Sequence, residues 1–274
     1  NIAIFVLMGL EFYKYQGTGN DFIVIDNRNL NFDKNDTILI QKLCDRNIGI
    51  GADGLILLEN HETLDFKMVY FNSDSSESGF CGNGSRCVTH FAKFLGIIQD
   101  NASFQAIDGI HYSKIINGFV SVKMNDIDSS KVIFFNDKYN ATFIDTGSPH
   151  LILNRNEIDN FNILDESYSI KKYFTNFKDG ININYYSIIN GGIRLRTFER
   201  GVESETQSCG TGAVALAYYL KINSLNENKE VTISMKGGDL NVKMEKSSNI
   251  YKNVWLSGDV DQVYYGKYNL SAIK

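Results

Sequence analysis

The sequence predicts an α+β protein with two pseudo-symmetric β-rich domains, each wrapped around a central hydrophobic helix. Two observations support this prediction. Short runs rich in Ile, Val, Phe and Tyr recur between tight turns along most of the 274 residues, as is typical of strands. Two segments led by cysteine and glycine, 81–87 and 209–212, each lead into an apolar run at helical spacing. Strands, one central helix and further strands, repeated twice, indicate an internal duplication.

The first half of the chain supplies strands, one peripheral helix and the first central helix. A helix is predicted over 36–46, where apolar residues repeat at helical spacing and Asp36 is a favourable N-cap. The first central helix follows Cys81 and runs to about Leu95, and Gly96 is a natural residue to end it. Strands are predicted from β-branched and aromatic content at 10–15, 21–27, 54–59, 64–72, 103–108, 111–116 and 118–124.

The second half repeats this plan. The second central helix is predicted from Gly210 to about Asn223, and the polar stretch 156–177 is expected to be helical or irregular. Strands are predicted on the same grounds as before at 132–135, 141–145, 150–154, 181–189, 193–198, 231–235, 239–244, 254–257 and 263–268.

The polar run 125–131 is the candidate domain boundary. It divides the chain into an N-terminal domain of residues 1–127 and a C-terminal domain of residues 128–262. The last strand, at about 263–274, is a candidate to return to the N-terminal domain. The sequence therefore predicts two domains of similar size and similar plan.

Composition and charge argue against two classes of partner. The net charge of −5 does not fit a nucleic-acid-binding protein, which favours a basic surface. The apolar run 2–8 is too short to span a bilayer and lacks the basic region and cleavage site of a signal peptide. We interpret it as an extension ahead of Met8 or as a first strand. We expect a cytoplasmic protein that binds neither nucleic acid nor membrane.

Four cysteines divide into two kinds by their position. Cys44 and Cys87 fall inside predicted helices, where a buried, unreactive thiol is expected. Cys81 and Cys209 fall at helix starts, where unpaired N–H groups and the helix dipole favour negative charge. Such a setting lowers a thiol pKa from about 8.5 toward roughly 3.5–7.5 and also binds carboxylates. Two such thiols predict a site for an anionic substrate.

Other motifs are weighed against simpler interpretations. No Cys-x-x-Cys pair or zinc-type histidine spacing occurs, so no metal site is expected. The Gly-x-Gly-x-x-Gly match at 49–54 follows a helix and enters a strand, the reverse of a dinucleotide site, so we interpret it as a turn lining a pocket. His150 lies in a turn between two strands and is a pocket candidate. Glu199 and Arg200, near Cys209 in sequence, are a candidate pocket pair.

The ordered blocks together resemble the diaminopimelate epimerase family from Phe12 onward. The blocks that carry the resemblance, with their residues as they stand here, are Gly-Thr-Gly-Asn-Asp-Phe at 17–22, Gly-Ile-Gly-Ala-Asp-Gly at 49–54, Tyr-Phe-Asn-Ser-Asp at 70–74, Cys-Gly-Asn-Gly-Ser-Arg-Cys at 81–87, Gly-Ser-Pro-His at 147–150, and Arg-Thr-Phe-Glu-Arg-Gly at 196–201 leading to Cys-Gly-Thr-Gly at 209–212.

This resemblance implies an isomerase of lysine and peptidoglycan precursor biosynthesis that interconverts LL- and meso-diaminopimelate without a cofactor. It implies a site in the cleft between two domains, with Cys81 and Cys209 as the acid and base and with His150 and Glu199 supporting the thiols. It also makes a homodimer plausible. The residues that it implies for substrate binding are Asn20, Gly54, Asn72, Gly82, Asn83, Ser148, Asn182, Glu199, Arg200, Gly210 and Thr211.

The chain departs from the family pattern at three positions. Ser148 stands where the family usually has Asn, so the contact expected there is shorter or water-mediated. Ser75 replaces the usual glycine and is expected to alter its turn. Gly54 stands where some relatives carry Gln, so a contact there has to come from backbone. These changes affect substrate affinity more than the class of reaction.

Three alternatives remain open at the level of sequence. A proline racemase-like or other cofactor-free amino acid epimerase shares the architecture, although it more typically has His in place of Asn83. A thiol hydrolase using Cys209 with His150 needs only one cysteine. A catalytically inactive binding protein of this fold does not need the paired cysteines at all.

Overall fold

The computed structural model describes residues 9–270, so the apolar start at 1–8 lies outside the described residues. The chain divides into two compact units, here called the first unit (up to Ile116, and from Val260 onward) and the second unit (Asn117–Asp259). From the sequence, we predict that the chain passes from the first domain to the second after residue 127 and returns after residue 262. The strand at Phe119–Lys123 already belongs to the second unit, where it pairs with a strand of that unit.

Strands predominate in both units. The α-helices are α1 (Thr37–Cys44), α2 (Gly82–Phe94), α3 (Ile163–Tyr173) and α4 (Gly210–Ile222). The strands are β1 (Gly9–Gly17), β2 (Asn20–Asp26), β3 (Gly54–Glu59), β4 (Phe66–Asn72), β5 (Glu77–Ser78), β6 (Asn101–Ala106), β7 (Gly109–Ile116), β8 (Phe119–Lys123), β9 (Ile127–Asp128), β10 (Ile133–Phe134), β11 (Thr142–Asp145), β12 (Pro149–Asn154), β13 (Asn182–Ile189), β14 (Gly192–Glu199), β15 (Ser204–Glu205), β16 (Glu230–Met235), β17 (Gly238–Ser247), β18 (Ile250–Gly258) and β19 (Asp261–Asn269).

The first unit is a mixed sheet with a helix on each face. β1 pairs antiparallel with β19 and β2, and β2 pairs parallel with β3. β3 and β4 are antiparallel, β4 and β6 parallel, and β6 and β7 antiparallel. Alternate residues of β2 enter opposite cores: Phe22 and Val24 pack with α2, while Ile23 and Ile25 pack with α1. Because both faces of β2 are buried, its residues 22–25 are all apolar rather than alternating with polar residues.

The second unit follows the same order of pairings. β11 and β12 are antiparallel, β12 and β13 parallel, β13 and β14 antiparallel, and β14 and β16 parallel. β16, β17, β18 and β8 then continue the sheet in antiparallel steps. This agreement in strand order confirms the predicted duplication and the α+β fold class. α4 is apolar almost all round and mostly buried, as a central helix requires.

Most predicted elements are confirmed, and the elements that the sequence did not indicate are very short. α2 ends at Phe94 and is followed by Gly96 in a left-handed conformation with φ of +71°, as predicted. α3 forms within the polar stretch 156–177. The two-residue strands β5, β9 and β15 depend on a partner strand and carry no periodicity of their own. No helix within residues 9–270 is long and apolar enough to cross a membrane.

Candidate active site

Cys81 is the N-cap of α2, the central helix of the first unit. Its backbone is extended, with φ of −114°, and its Sγ accepts a hydrogen bond from the Gly84 N–H at 3.4 Å. The side chain is partly exposed. A sulfur in this position receives one of the N–H groups that every helix start leaves unpaired, which favours the thiolate.

Asn20 at the start of β2 lies beside this thiol. Its Oδ1 accepts a hydrogen bond from Asn83 Nδ2 at 3.2 Å and lies 4.0 Å from Cys81 Sγ, within reach of a thiol proton. On the other side, Asn20 Nδ2 donates to Asp53 Oδ2 at 2.7 Å. Because the carboxylate only accepts, it turns the amide so that the carbonyl oxygen faces the cysteine.

A network of ionised side chains adjoins Asn20 through Asp53. Arg46 Nη2 donates to Asp53 Oδ1 at 2.8 Å and to Asp21 Oδ1 at 2.7 Å, and Lys14 pairs with Asp21 at 2.5 Å. Burial favours a higher pKa for Asp21, but the hydrogen bonds from Arg46 and Lys14 outweigh it and lower the pKa to about 2. The network holds the β1–β2 and β3 ends together through ionised groups.

Asn72 and Gly54 face each other across the β3–β4 pair. Tyr70 Oη donates to Asn72 Oδ1 at 2.9 Å, and Asn72 Nδ2 donates to Ser76 Oγ at 3.1 Å. A Cβ on Gly54 would lie 2.6 Å from the Tyr70 ring and from the Phe71 carbonyl, so only glycine lets the ring pack there. The following turn contains Ser75 at φ of +69°, a left-handed conformation that suits the glycine usual in the family.

Cys209 is the N-cap of α4 in the second unit, with φ of −129°. It is buried, and its Sγ lies 3.5 Å from Thr211 Oγ1 rather than capping the helix by a side-chain hydrogen bond within the described residues. A Cβ on Gly212 would lie 2.5 Å from Asn184 Oδ1 and 3.3 Å from Cys209 Sγ. The thiol and the Asn184 amide therefore both crowd the first turn of α4.

Asn182, at the start of β13, is hydrogen-bonded to two other predicted site residues, Ser148 and Arg200, and to the backbone of Pro149. Its Nδ2 donates to Ser148 Oγ at 2.9 Å and to the Pro149 carbonyl at 3.0 Å. Its Oδ1 accepts from the Arg200 backbone N–H at 3.0 Å. The amide makes these three hydrogen bonds within the protein, so Ser148 reaches it directly despite being shorter than asparagine.

His150 is fully buried on β12, opposite Asn182 in the parallel pairing with β13. Its Nδ1 lies 3.0 Å from Asn184 Nδ2, and Asn184 Oδ1 accepts from Thr197 Oγ1 at 2.9 Å. Burial, reinforced by the nearby positive charge of Arg200, lowers the pKa of His150 to about 3. The imidazole is therefore neutral at physiological pH.

The remaining predicted residues occupy the same two helix starts and one strand end. Gly82 and Asn83 open α2, and Gly210 and Thr211 open α4, so each cysteine is followed by backbone N–H groups at a helix start. Glu199 is the last residue of β14 and pairs with Ser204. The first unit thus gathers Asn20, Cys81 and Asn83, whereas the second gathers Ser148, Asn182 and the Arg200 backbone.

Sequence reasoning missed three supporting residues: Asp53, Asn184 and Thr197. Asp53 lies inside the glycine-rich turn that was interpreted only as a pocket lining. Asn184 interrupts an apolar strand two residues after Asn182 and so lies on the same face of β13. That polar residue at an otherwise buried strand position is the signal that points to it.

The other cysteines and histidines have local partners. Burial raises the pKa of Cys44 to about 12 and raises the pKa of Cys87 further, so both remain thiols. His61 accepts backbone hydrogen bonds, His90 contacts Tyr15 Oη, and His111 pairs with Asp108. Within residues 9–270, no cluster of three His, Cys, Asp or Glu residues is arranged to hold a metal ion.

Solved structures define the fold class. A phenazine biosynthesis protein of the PhzF family from Bacillus anthracis aligns with a TM-score of 0.73 at 13% identity, covering 95% of this chain and 99% of that one. A probable proline racemase from Agrobacterium radiobacter aligns with a TM-score of 0.67 at 14% identity, covering 95% and 93%. At these identities the likeness shows the fold, which is that of the PhzF and proline racemase-like proteins.

Sequence comparisons specify the family within that fold. The diaminopimelate epimerase family model matches residues 12–124 and 142–258. A diaminopimelate epimerase from Flavobacterium psychrophilum is 45% identical, covering 93% of this chain and 98% of the relative. That of Chlorobaculum tepidum is 38% identical, covering 93% and 99%. The chain belongs to the diaminopimelate epimerase family, as the sequence predicts.

Proposed function

We propose that the protein is an isomerase that interconverts LL- and meso-2,6-diaminopimelate by proton transfer at one α-carbon, a reaction of lysine and peptidoglycan precursor biosynthesis. The observation that carries the proposal is the pair of N-cap cysteines, Cys81 on α2 and Cys209 on α4. Membership of the family, with relatives named diaminopimelate epimerase over nearly the full chain, supports the choice of substrate.

Inversion at a carbon requires a base on one face and an acid on the other. In the proposed mechanism one cysteine, as thiolate, removes the α-proton, and the other, as thiol, returns a proton to the opposite face. The roles exchange in the reverse direction. General acid–base transfer of this kind contributes typically about 10²–10⁴-fold. The mechanism requires both thiols to reach the same α-carbon and needs no cofactor.

Stabilisation of the developing carbanion is the harder part of this reaction. We assign it to the N–H groups of Gly82 and Asn83 at the start of α2 and of Gly210 and Thr211 at the start of α4. These donors, with the helix dipoles, favour negative charge on the substrate carboxylate. Such fixed donors usually supply the largest share of catalysis.

The side chains around the thiols are proposed to select the substrate. Asn20 and Asn72 in the first unit, and Arg200 and Glu199 in the second, are assigned to the carboxylates and amino groups. A guanidinium suits a carboxylate because it donates two parallel hydrogen bonds. Asn182 and Ser148 are assigned to holding the Arg200 backbone, since the Asn182 amide bonds both partners.

The proposal extends to the assembly and location of the protein. We assign a cytoplasmic location. A homodimer is supported by β19, on which the exposed side chains of Val263 and Tyr265 lie on the same face of the strand. Exposed apolar side chains that share one face are typical of a contact surface. Light scattering of the wild type and of Tyr265→Ser tests the dimer: a monomeric wild type rejects it.

Proton NMR in D₂O tests the function directly. The reduced protein is mixed with LL-diaminopimelate, and loss of the α-proton signal together with appearance of the meso isomer is expected. Matched samples contain proline or hydroxyproline. Exchange of proline without exchange of diaminopimelate rejects the proposal in favour of a proline racemase-like activity. Absence of any exchange under reducing conditions rejects both.

A further inference from the structure

The segment that leads into Cys81 is in contact with the hairpin of β6 and β7. Gly79 and Phe80 lie between β5 and α2, outside both elements. The Phe80 ring stacks on the imidazole of His111, with ring centroids 4.6 Å apart and ring planes inclined by 23°. A Cβ on Gly79 would lie 3.3 Å from Asp108 Cγ, so the backbone there also packs against the hairpin turn. The two residues that precede the thiol therefore both contact this one hairpin.

The imidazole of His111 is itself held by a hydrogen bond and by a buried ring. Its Nε2 lies 3.1 Å from Asp108 Oδ1, and it is the donor because a carboxylate can only accept. The ring also contacts Phe104 at a centroid distance of 5.6 Å, and Phe104 stacks on Phe66 at 5.0 Å. Both phenylalanines are fully buried. Rings at these separations attract one another beyond the burial of area, so His111 connects the core of the first unit to Phe80.

The backbone that enters α2 determines where the sulfur of Cys81 lies. An N-cap residue has non-helical dihedral angles, and its side chain then reaches the N–H groups of the first turn. Cys81 has φ of −114° and ψ of 110°, and its Sγ accepts from the Gly84 N–H at 3.4 Å. The side chain is partly exposed, so packing around the thiol leaves it room to move. Contacts made by the preceding residues are therefore needed to keep this geometry.

The equivalent position in the second unit carries a different residue. Ser208 precedes Cys209, whereas Phe80 precedes Cys81. Ser208 and Cys209 are both buried, and close-packed surroundings fix a buried residue without further help. The partly exposed Cys81 has no such surroundings on its solvent side. The aromatic residue at position 80 is thus explained by its contact with the hairpin.

We propose that His111 is a positioning residue: it holds Phe80 against the β6–β7 hairpin and so keeps Cys81 in the N-cap conformation in which Sγ accepts the Gly84 N–H. The expected effect on catalysis rests on the proposed function. Without the imidazole ring, the segment 79–81 gains freedom, and the sulfur spends less time within reach of that N–H. A hydrogen bond donated to a thiolate stabilises it, so the thiolate fraction of Cys81 then falls.

The test is His111→Ala, with His111→Phe as the conservative variant that keeps a ring against Phe80. The pH dependence of alkylation by iodoacetamide, with the modified Cys81 peptide identified by mass spectrometry, reports the thiolate. In His111→Ala we expect the midpoint to rise toward about 8.5, the value of a free thiol, and in His111→Phe to recover. We expect kcat for diaminopimelate to fall by up to about 100-fold in His111→Ala, with KM changed much less, because a displacement of about 1 Å can cost that much.

Two further variants complete the test. Ile110→Ala is the matched control, since this side chain is exposed on the opposite face of β7 from His111, and no change in the alkylation profile or kcat is expected. Phe80→Ala breaks the same ring contact from the other side, so it supplies the test if His111→Ala does not fold. The double variant Phe80→Ala/His111→Ala is expected to lose no more kcat than either single variant, because both remove one interaction.

Three results would overturn the inference. The first is the wild-type alkylation profile of Cys81 in a folded His111→Ala or Phe80→Ala variant, whatever its kcat. The second is an equal shift of the profile in Ile110→Ala, and the third is additive losses of kcat in the double variant. A wild type that does not exchange the α-proton of diaminopimelate rejects the proposed function instead, and the alkylation profile still decides whether His111 positions the thiol.

Discussion

The two units share one backbone plan, yet they support their cysteines in different ways. In the first unit, the partly exposed Cys81 accepts a helix N–H and faces an amide held by the ionised Asp53 and Arg46. In the second unit, Cys209 is buried, and the first turn of its helix packs against the amide of Asn184, which is hydrogen-bonded to the neutral His150.

Solvent exposure explains this difference. Asp53 and Arg46 are about half exposed, with side-chain exposures of 44% and 58%, so their charges stay solvated. Charges buried as deeply as His150 and Asn184 would incur a large desolvation cost. The comparison shows that a duplicated backbone can place two like residues at equivalent helix starts while the chemistry around each is set independently.

Removal of either thiol has the largest expected effect. Cys81→Ala and Cys209→Ala are each expected to reduce epimerisation of diaminopimelate by about 10³-fold or more, because inversion needs both an acid and a base. The measurement is the α-proton exchange assay in D₂O. Cys44→Ala is the control, since its thiol is buried in the α1 core. Full hydrolytic or isomerase activity in Cys81→Ala contradicts the two-base mechanism and favours a thiol hydrolase.

Acid is expected to destabilise the second unit at higher pH than the first. A neutral His150 with a pKa of about 3 contributes stability that is complete above pH 6.5 and is lost as the pH falls toward 3. Asp21, with its pKa lowered to about 2, contributes stability that is lost only between about pH 4 and pH 2. The slope is about 1.4 kcal/mol per pH unit for each group.

The single tryptophan, Trp255 on β18, makes this difference measurable. Urea unfolding followed by Trp255 fluorescence reports the second unit, and hydrogen exchange of the β2 and β3 peptides reports the first. His150→Gln is expected to flatten the pH dependence of the fluorescence transition between pH 6.5 and 4. Simultaneous loss of both units at every pH contradicts the predicted order.

Equivalent glycines in the two central helices are expected to respond differently to alanine. A Cβ at Gly212 would lie 2.5 Å from Asn184 Oδ1, so Gly212→Ala displaces a buried amide and is expected to reduce kcat by roughly 10–100-fold. A Cβ at Gly84 meets the terminal methyl groups of Ile56 and Met68 at 3.1 and 3.3 Å, which can move.

Helix propensity favours alanine over glycine by about 1 kcal/mol, which offsets the crowding in Gly84→Ala. That variant is therefore expected to retain activity within a few-fold. Steady-state kinetics and thermal melts of the two variants provide the comparison. Equal losses of kcat at both glycines would show that Asn184 is not the sensitive group.

The charged support of the first unit has the smallest expected effect. Asp53→Asn keeps an acceptor for Asn20 but removes the ion pair with Arg46, and it permits the Asn20 amide to rotate. We expect kcat/KM to fall by about 10-fold, which is a typical loss for a residue that positions a substrate-binding side chain without itself contacting the substrate. Asp26→Asn is the control, because it removes an exposed ion pair with Arg28 at the end of β2 opposite to Asn20. If kcat/KM falls equally in both variants, the loss reflects a general effect on stability, and the positioning role of Asp53 is contradicted.

Local sequence patterns predicted most of the elements but few of the supporting contacts. The helix starts at Cys81 and Cys209 follow from short motifs whose physical meaning is contained within four or five residues. The short strands β5 and β15 have no such pattern, since they exist only by pairing with β4 and β14. The point at which the chain enters the second unit also has no local sequence pattern, because β8 belongs to that unit by pairing with β18, more than a hundred residues away.

The sequence by itself determined the α+β class, the duplication, the family and the two candidate thiols, because hydrophobic periodicity and helix-start chemistry are local properties of the chain. Only the tertiary structure decided which groups support those thiols. Asn20 meets Asp53 across 33 residues, and His150 meets Asn184 across 34. Such contacts depend on strand register, which is set by how whole faces pack together.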